Sequence, residues 1–385
     1  MFDRKILITG LLTLTALFFT APMVFAGGTT ENSGTMKEIV IPEAAVIADE
    51  SGDVNPEIVE EGKLLVYSYE ETVTRFFLRA YKDKYPQVKV KTAVYGELDE
   101  AIAKLRGGFT ADVLNPCVDY LPLLKQLDLI RPIDTSLIPR WGDLMDYFQN
   151  LPDLDAGDGK VWMVPSDAGL EGMMYNTEKI RTAPSSWKEL WNPAYKGHIA
   201  MQDYARNSIA IAALALGYED PFHLDDEQLA EIQDFLIEQK PLLLKYFEGD
   251  EEVDSLFSEG EVWISLGWSS DARSLSDDGV PVEFISPEEG ALSWICGYSI
   301  TRGTNYPIAA HAMVNHYIRP ELQEFEAVDF EYFVPNGRVL ETLSDEEIEL
   351  VGLDKPEALE KSHVEIIPDN YDKWLQVWET VKSTQ

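Results

Sequence analysis

The chain has 385 residues, with 31 Lys and Arg against 68 Asp and Glu, for a formal charge of −37. That balance excludes nucleic acid as a partner, because phosphate binding needs clustered positive charge. Apolar residues make up 45% and aromatics 11%, ample for buried cores and too much for a disordered acidic chain, and the length suits two domains of ordinary size.

In chain order, Arg4 and Lys5 precede an apolar run from Ile6 to Phe19, and Val24-Phe25-Ala26 places small residues where a signal peptidase cuts. Residues 1–26 therefore read as an export signal, too short in its apolar run for the roughly 20 residues of a spanning helix. Residues 27–62 are acidic and without periodicity, and read as a flexible leader. At Lys63 the texture changes. Leu64-Leu65-Val66-Tyr67 reads as a strand, Val73 to Tyr81 has helical spacing, and Val88, Val90, Thr92 and Val94 alternate as a half-buried strand does. A helix with Ile102 and Leu105 ends at Gly107-Gly108, followed by the strand Ala111–Leu114 and a helix bearing Val118, Leu121, Leu124 and Leu127. This rhythm predicts a mostly parallel sheet flanked by helices.

Two extended stretches, Val161 to Pro165 and Leu170 to Tyr175, flank a Ser-Asp-Ala-Gly break at 166–169 where a domain crossing fits. The alternation then resumes, with strands at 198–201, 262–266, 282–285 and 292–300 and helices at 208–216, from Asp226, and at 309–319. A last helix carries Tyr371, Trp374, Leu375 and Trp378 on one side.

Enzyme chemistry leaves no trace in the sequence. It has no Gly-rich phosphate loop and no Gly-x-Ser-x-Gly elbow. His311 and His316 lack the four-residue offset of a zinc helix, and Asp153, Asp155 and Asp158 miss the register of a calcium loop. Neither an enzyme nor a cofactor is expected. Only Cys117 and Cys296 are present, and the sequence leaves their pairing open.

The run Ser186-Trp187-Lys188-Glu189-Leu190-Trp191-Asn192-Pro193-Ala194-Tyr195-Lys196-Gly197 resembles the W-x-x-L-W-x-P-x-Y-K-G signature of the spermidine/putrescine-binding proteins that feed bacterial ABC importers. Ala205-Arg206, Leu216-Gly217-Tyr218, Gly260-Glu261-Val262 leading to Trp268, Glu289-Gly290 before Trp294, and Val334-Pro335-Asn336 extend the resemblance from Lys63 to the C-terminus. It implies a two-lobed α/β periplasmic-binding-protein fold of type II, each lobe a mixed sheet flanked by helices, with the ligand cleft between lobes. Lobe one is expected at 63–168 plus 296–336 and lobe two at 169–295 plus 337–385.

The resemblance also implies an aromatic box around the ligand's methylenes and carboxylates at its ammonium ends. Ring faces attract cations, and an ammonium leaving water must regain hydrogen bonds and an opposite charge. Tyr69 matches the aromatic after the first strand, Glu71 the first-lobe carboxylate, Trp268 and Trp294 the two later tryptophans, and Tyr332 an aromatic before Val334-Pro335-Asn336. Tyr204, Asn207 and Cys296 stand where the family carries carboxylates. Glu70, Asp119, Glu171 and Asp271 are the acidic residues that could compensate, and Arg273 is the main positive group in the mapped segments. Both cysteines map near the lobe-one side of the cleft.

The expected function is an exported, monomeric solute-binding component of an ABC importer that captures a small cationic amine and delivers it to membrane permease subunits. The alternatives are the same fold with a phosphonate, thiamine, iron or amino-acid-like ligand, a sensory ligand receptor, or an exported hydrolase.

Overall fold

The computed structural model describes residues 36–41, 46–151, 153–354 and 357–384. The signal segment expected at 1–26 and the first part of the leader lie outside the described residues.

Two long strands organise the fold. Val164–Asn176 and Leu292–Thr301 run antiparallel, with Leu292 opposite Glu171, Trp294 opposite Gly169 and Cys296 opposite Asp167. The sheet continues on one side through Ile264–Trp268, Ile199–Gln202 and Leu243–Phe247, and on the other through Val113–Leu114, Gly62–Ser68 and Val88–Val94. Gly62–Ser68 lies parallel to Val88–Val94, and Ile199–Gln202 parallel to Leu243–Phe247, the pairing that helical crossovers impose. Apolar positions along the crossing strand divide by location. Val164 and Ala168 pack in a first core with Leu64 and Val66, whereas Met173 and Tyr175 pack in a second core with Ile199, Leu236 and Trp374. One strand thus leaves one lobe and enters the next, which makes the fold the two-lobed α/β arrangement.

Two expectations need correction here. The stretch 166–169 is not a break, because Val164–Asn176 runs through it as one strand. Ser-Asp-Ala-Gly favours a turn in isolation, but its buried backbone pairs with residues 294–296, and that pairing outweighs local propensity. The stretch 337–385 does not belong wholly to the second lobe. Val339, Leu343, Val351, Leu353 and Leu359 pack in the first core, and Trp374, Trp378 and Val381 in the second.

The leader is also more structured than its composition suggests. Val54 and Val59 join the first core, and the Tyr85 hydroxyl donates to the Val54 carbonyl at 2.8 Å. Asp53 pairs with Arg140 at 2.7 Å and Arg319 at 3.0 Å. Burial works against the Asp53 charge, but those two guanidinium groups outweigh it and hold the carboxyl below the usual range. Glu60 accepts from the N–H groups of Ile308 and Ala309, at 3.0 and 2.8 Å, and so caps the helix Pro307–Tyr317 from a distant part of the chain. Acidic residues that would stay solvated elsewhere find fixed donors here.

The second lobe supplies one further element that matters below. Helix Ala205–Leu216 is Ala-rich and buried on nearly every side, and it ends on Gly217 at φ 95°, a left-handed cap that glycine adopts without strain. Its first turn presents Arg206 and Asn207.

Candidate functional site

A cavity of about 240 Å³ opens beside the crossing strands. Its aromatic wall consists of Tyr69, Trp294, Phe330 and Tyr332. Trp294 meets Tyr332 edge-on with centroids 5.0 Å apart, and Tyr332 contacts Phe330 at 5.6 Å. Trp294 lies on the strand only because residue 169 is glycine, since a Cβ there would come within 2.5 Å of the indole. Tyr69 is held edge-on by Tyr95 at 4.8 Å. Thr72 and Asn115 form the floor, tied together through Ser68, which lies 2.7 Å from the Thr72 hydroxyl and donates to Asn115 Oδ1 at 3.1 Å.

Three carboxylates line the same space. Glu71 is exposed at the rim, while Asp167 on the crossing strand and Glu326 on helix Pro320–Asp329 are 6% and 1% exposed. Each buried carboxylate is only half satisfied. Ser166 donates to Asp167 Oδ2 at 3.2 Å and Gln323 to Glu326 Oε2 at 2.5 Å, whereas Asp167 Oδ1 and Glu326 Oε1 have no hydrogen-bond partner among the described residues. Burial pushes the Asp167 carboxyl up to about 7, and the nearby Glu71 charge adds to this against the Ser166 hydrogen bond. Burial and then Asp167 push Glu326 well above the carboxylate range. None of the described residues lining the cavity is Lys, Arg or His. Buried acceptors without a donor are costly, and a positively charged donor in this cavity would satisfy both.

A second acidic cluster lies further along the same strand face, where Asp167, Gly169 and Glu171 alternate. Here the cation is already present. Arg206 Nη1 donates to Asp119 at 2.6 Å and Nη2 to Glu365, while the guanidinium lies 5.3 Å from the Tyr204 ring. Asn207 donates to Glu171 at 2.6 Å and to Glu365 at 3.0 Å. Burial opposes the Arg206 charge, but Glu365, Asp119 and Tyr204 outweigh it and keep the group protonated. Burial, then the Glu365 charge, drives Glu171 well above its ordinary value.

The predicted residues therefore fall into separate places. Tyr69, Glu71, Trp294, Cys296 and Tyr332 converge on the cavity. Asp119, Glu171, Tyr204 and Asn207 gather instead around Arg206, and Trp268 sits opposite Glu171 on the neighbouring strand. Asp271 is outside both groups, on helix Ser269–Asp277, where burial and then Asp254 and Asp250 push its carboxyl up to about 7. Glu70 is exposed and does not line the cavity. Arg273 is not the cleft's cation, since it pairs with Glu331 at 3.1 Å, and Arg206 takes that place. Cys117 and Cys296 are joined in a disulfide, which ties the turn leading to Asp119 to the strand that carries Trp294.

Sequence reading missed Asp167, Glu326, Asn115 and Thr72. A signal existed for two of them. Glu326 shares helical spacing with the buried Leu322, Gln323 and Ala327, which puts a carboxylate on the apolar face, and Asp167 precedes Gly169 and Glu171 at strand spacing.

A cleft receptor for a small solute is the class that this fold and site define, with a crossing-strand pair between two cores and an aromatic, acidic hollow beside it. The chain belongs to the bacterial extracellular solute-binding proteins, whose family model matches residues 77–346. It is 25% identical over 294 residues to a spermidine/putrescine-binding periplasmic protein of Escherichia coli, covering 74% of this chain and 81% of that one. It is also 25% identical over 298 residues to a putrescine-binding periplasmic protein of Pseudomonas aeruginosa, covering 72% and 79%. A spermidine/putrescine ABC transporter substrate-binding protein of Streptococcus pneumoniae superposes with a TM-score of 0.74 at 23% identity, over 83% of this chain and 98% of that one. Among the described residues, no helix is long and apolar enough to cross a membrane.

Proposed function

We propose that this protein is the exported solute-binding component of an ABC importer, which captures a small cationic amine in the cavity beside Trp294 and passes it to membrane permease subunits. The observation that carries this reading is the pair of buried carboxylates, Asp167 and Glu326, each with one oxygen lacking a partner, in an aromatic hollow. An ammonium supplies the missing donors and the opposite charge, and its carbon chain packs against the ring faces. The relatives named as spermidine/putrescine binders support the same ligand chemistry.

Lobe one comprises residues 46–151, 153–168, 296–354 and 357–359, and lobe two 171–292 and 371–384, with closure as a hinge motion about the crossing strands. A ligand that touches both sides selects the closed state. Saturation at a hundred times the dissociation constant raises stability by about 2.7 kcal/mol. A thermal-shift screen of amines, amino acids and phosphonates tests the reading. Shifts with amines alone are expected, and a shift only with anions would reverse it.

A further inference from the structure

The ion pair between Asp119 and Arg206 joins the two lobes. Asp119 follows Cys117 in a turn whose Val118 and Leu121 pack in the first core, and the disulfide to Cys296 ties that turn to the wall of the cavity. Arg206 lies in the first turn of helix Ala205–Leu216, between Ala205 and Ile209 of the second core. Each is fixed to its own lobe, and each is poorly served there. A cation in the first turn opposes the helix dipole, so Arg206 gains nothing from its helix. Asp119 Oδ1 has no hydrogen-bond partner among the described residues, while Oδ2 accepts from the guanidinium at 2.6 Å, so Asp119 finds its opposite charge on the other lobe. Glu365 is a different kind of partner. Its N–H donates to the Ser293 carbonyl at 2.9 Å and the following Ile366 packs against the second core, which keeps it beside Arg206 whether or not the lobes meet.

We infer that Asp119 is a positioning residue for ligand capture, an interlobe latch that engages Arg206 when the lobes close and withdraws into water when they open. This rests on the hinge closure and amine capture proposed above. Removing one partner of a buried pair is costly when the other stays buried, but opening strands no charge here, because Arg206 keeps Glu365 and Asp119 regains its hydration. The latch does not compete with the ligand. Asp119, Glu171 and Glu365 outnumber the single guanidinium, so the cluster keeps negative charge that attracts an ammonium in the neighbouring cavity. Asp119 does not line that cavity and acts through Arg206. Guest and latch both favour the closed state, and each therefore strengthens the other.

Small-angle X-ray scattering of the whole protein, with stopped-flow release of putrescine followed by tryptophan fluorescence, tests this in Asp119→Asn. That variant should have a larger radius of gyration than the parent, without ligand or with saturating putrescine, and should release putrescine about tenfold faster. Asp119→Glu, which keeps the charge, should return both quantities toward the parent's values. Should Asp119→Asn fail to fold, Asp119→Ser takes its place. A merely structural role would lower the unfolding midpoint without enlarging the folded molecule. A radius equal to the parent's in both conditions overturns the latch, whatever the release rate, and a larger radius with an unchanged release rate overturns its part in capture. If the unaltered protein binds no amine, the cavity reading fails and the ligand-free radius alone decides the latch.

Discussion

The two acidic clusters on the crossing strand hold similar residues and behave as opposites. Around Arg206, Asp119 and Glu365 share one guanidinium that belongs to the chain, so the cluster brings its own cation when the protein folds. Around Trp294, Asp167 and Glu326 face each other and Glu71 with no cation among the described lining residues. The first arrangement is completed by the chain itself, and the second is the one proposed above to receive a guest. Counting carboxylates could not have separated them; what separates them is where one arginine points.

Substitutions should therefore have effects of different kind in the two regions. The largest is expected at Arg206→Ala, which leaves Asp119 and Glu365 buried without their cation and should cost about 3–5 kcal/mol in urea unfolding. An unchanged midpoint would mean that the ion pair is not held as described. Asp167→Asn with Glu326→Gln should do the reverse, weakening amine binding by about 100-fold, or ~2.7 kcal/mol, in calorimetry. The same variant should unfold no more easily than the parent at pH 8, because it removes like charges from a buried site. If it loses stability instead, the two carboxyl groups are structural.

The pH dependence of the ligand-free protein sharpens the contrast. The folded Asp167 carboxyl titrates at about 7 against an ordinary 3.8, so between those values the folded chain binds the extra proton. Its contribution is complete below pH ~4 and is lost as pH rises through about 7. Melting should accordingly be higher at pH 5 than at pH 8 by this contribution, and Asp167→Asn should flatten the difference. A bound cation should restore the loss at pH 8, because it stabilises the ionised form. The smallest effect is expected at Trp294→Leu, where losing one ring face should weaken amine binding by about 1 kcal/mol without altering the melting profile with pH.

Motif and site are also distinct regions of the chain. The tryptophan-rich run that signals the family forms part of the second core. Trp187 is fully buried with its indole donating to the Gly290 carbonyl at 2.9 Å, and Trp191 stacks on Phe235 at 4.3 Å. Neither lines the cavity. The motif is visible because it fixes packing, and packing needs particular large side chains in a fixed order. Aromatic site residues such as Trp294 and Tyr332 were legible for a similar reason, since Trp294 follows and Tyr332 precedes a recognisable stretch of chain. The buried acids had only their spacing to mark them, against stronger local signals. Asp167 lay in a run that reads as a turn, and Glu326 in a helix rich in other carboxylates.

By itself the sequence determined the alternation of strands and helices, because that depends on residue periodicity, and its resemblance to a known family implied the two-lobed class and an acidic, aromatic site. Only the tertiary structure decided the state of each charge. It joined Cys117 to Cys296, packed the leader's Asp53 against Arg140 and Arg319, and placed Arg206 between Asp119 and Glu365 while leaving Asp167 and Glu326 without a cation among the described lining residues. The physical reason is that the free energy of a charged group depends on its burial and on partners far away in the chain, neither of which is a property of the residue's own neighbourhood in sequence.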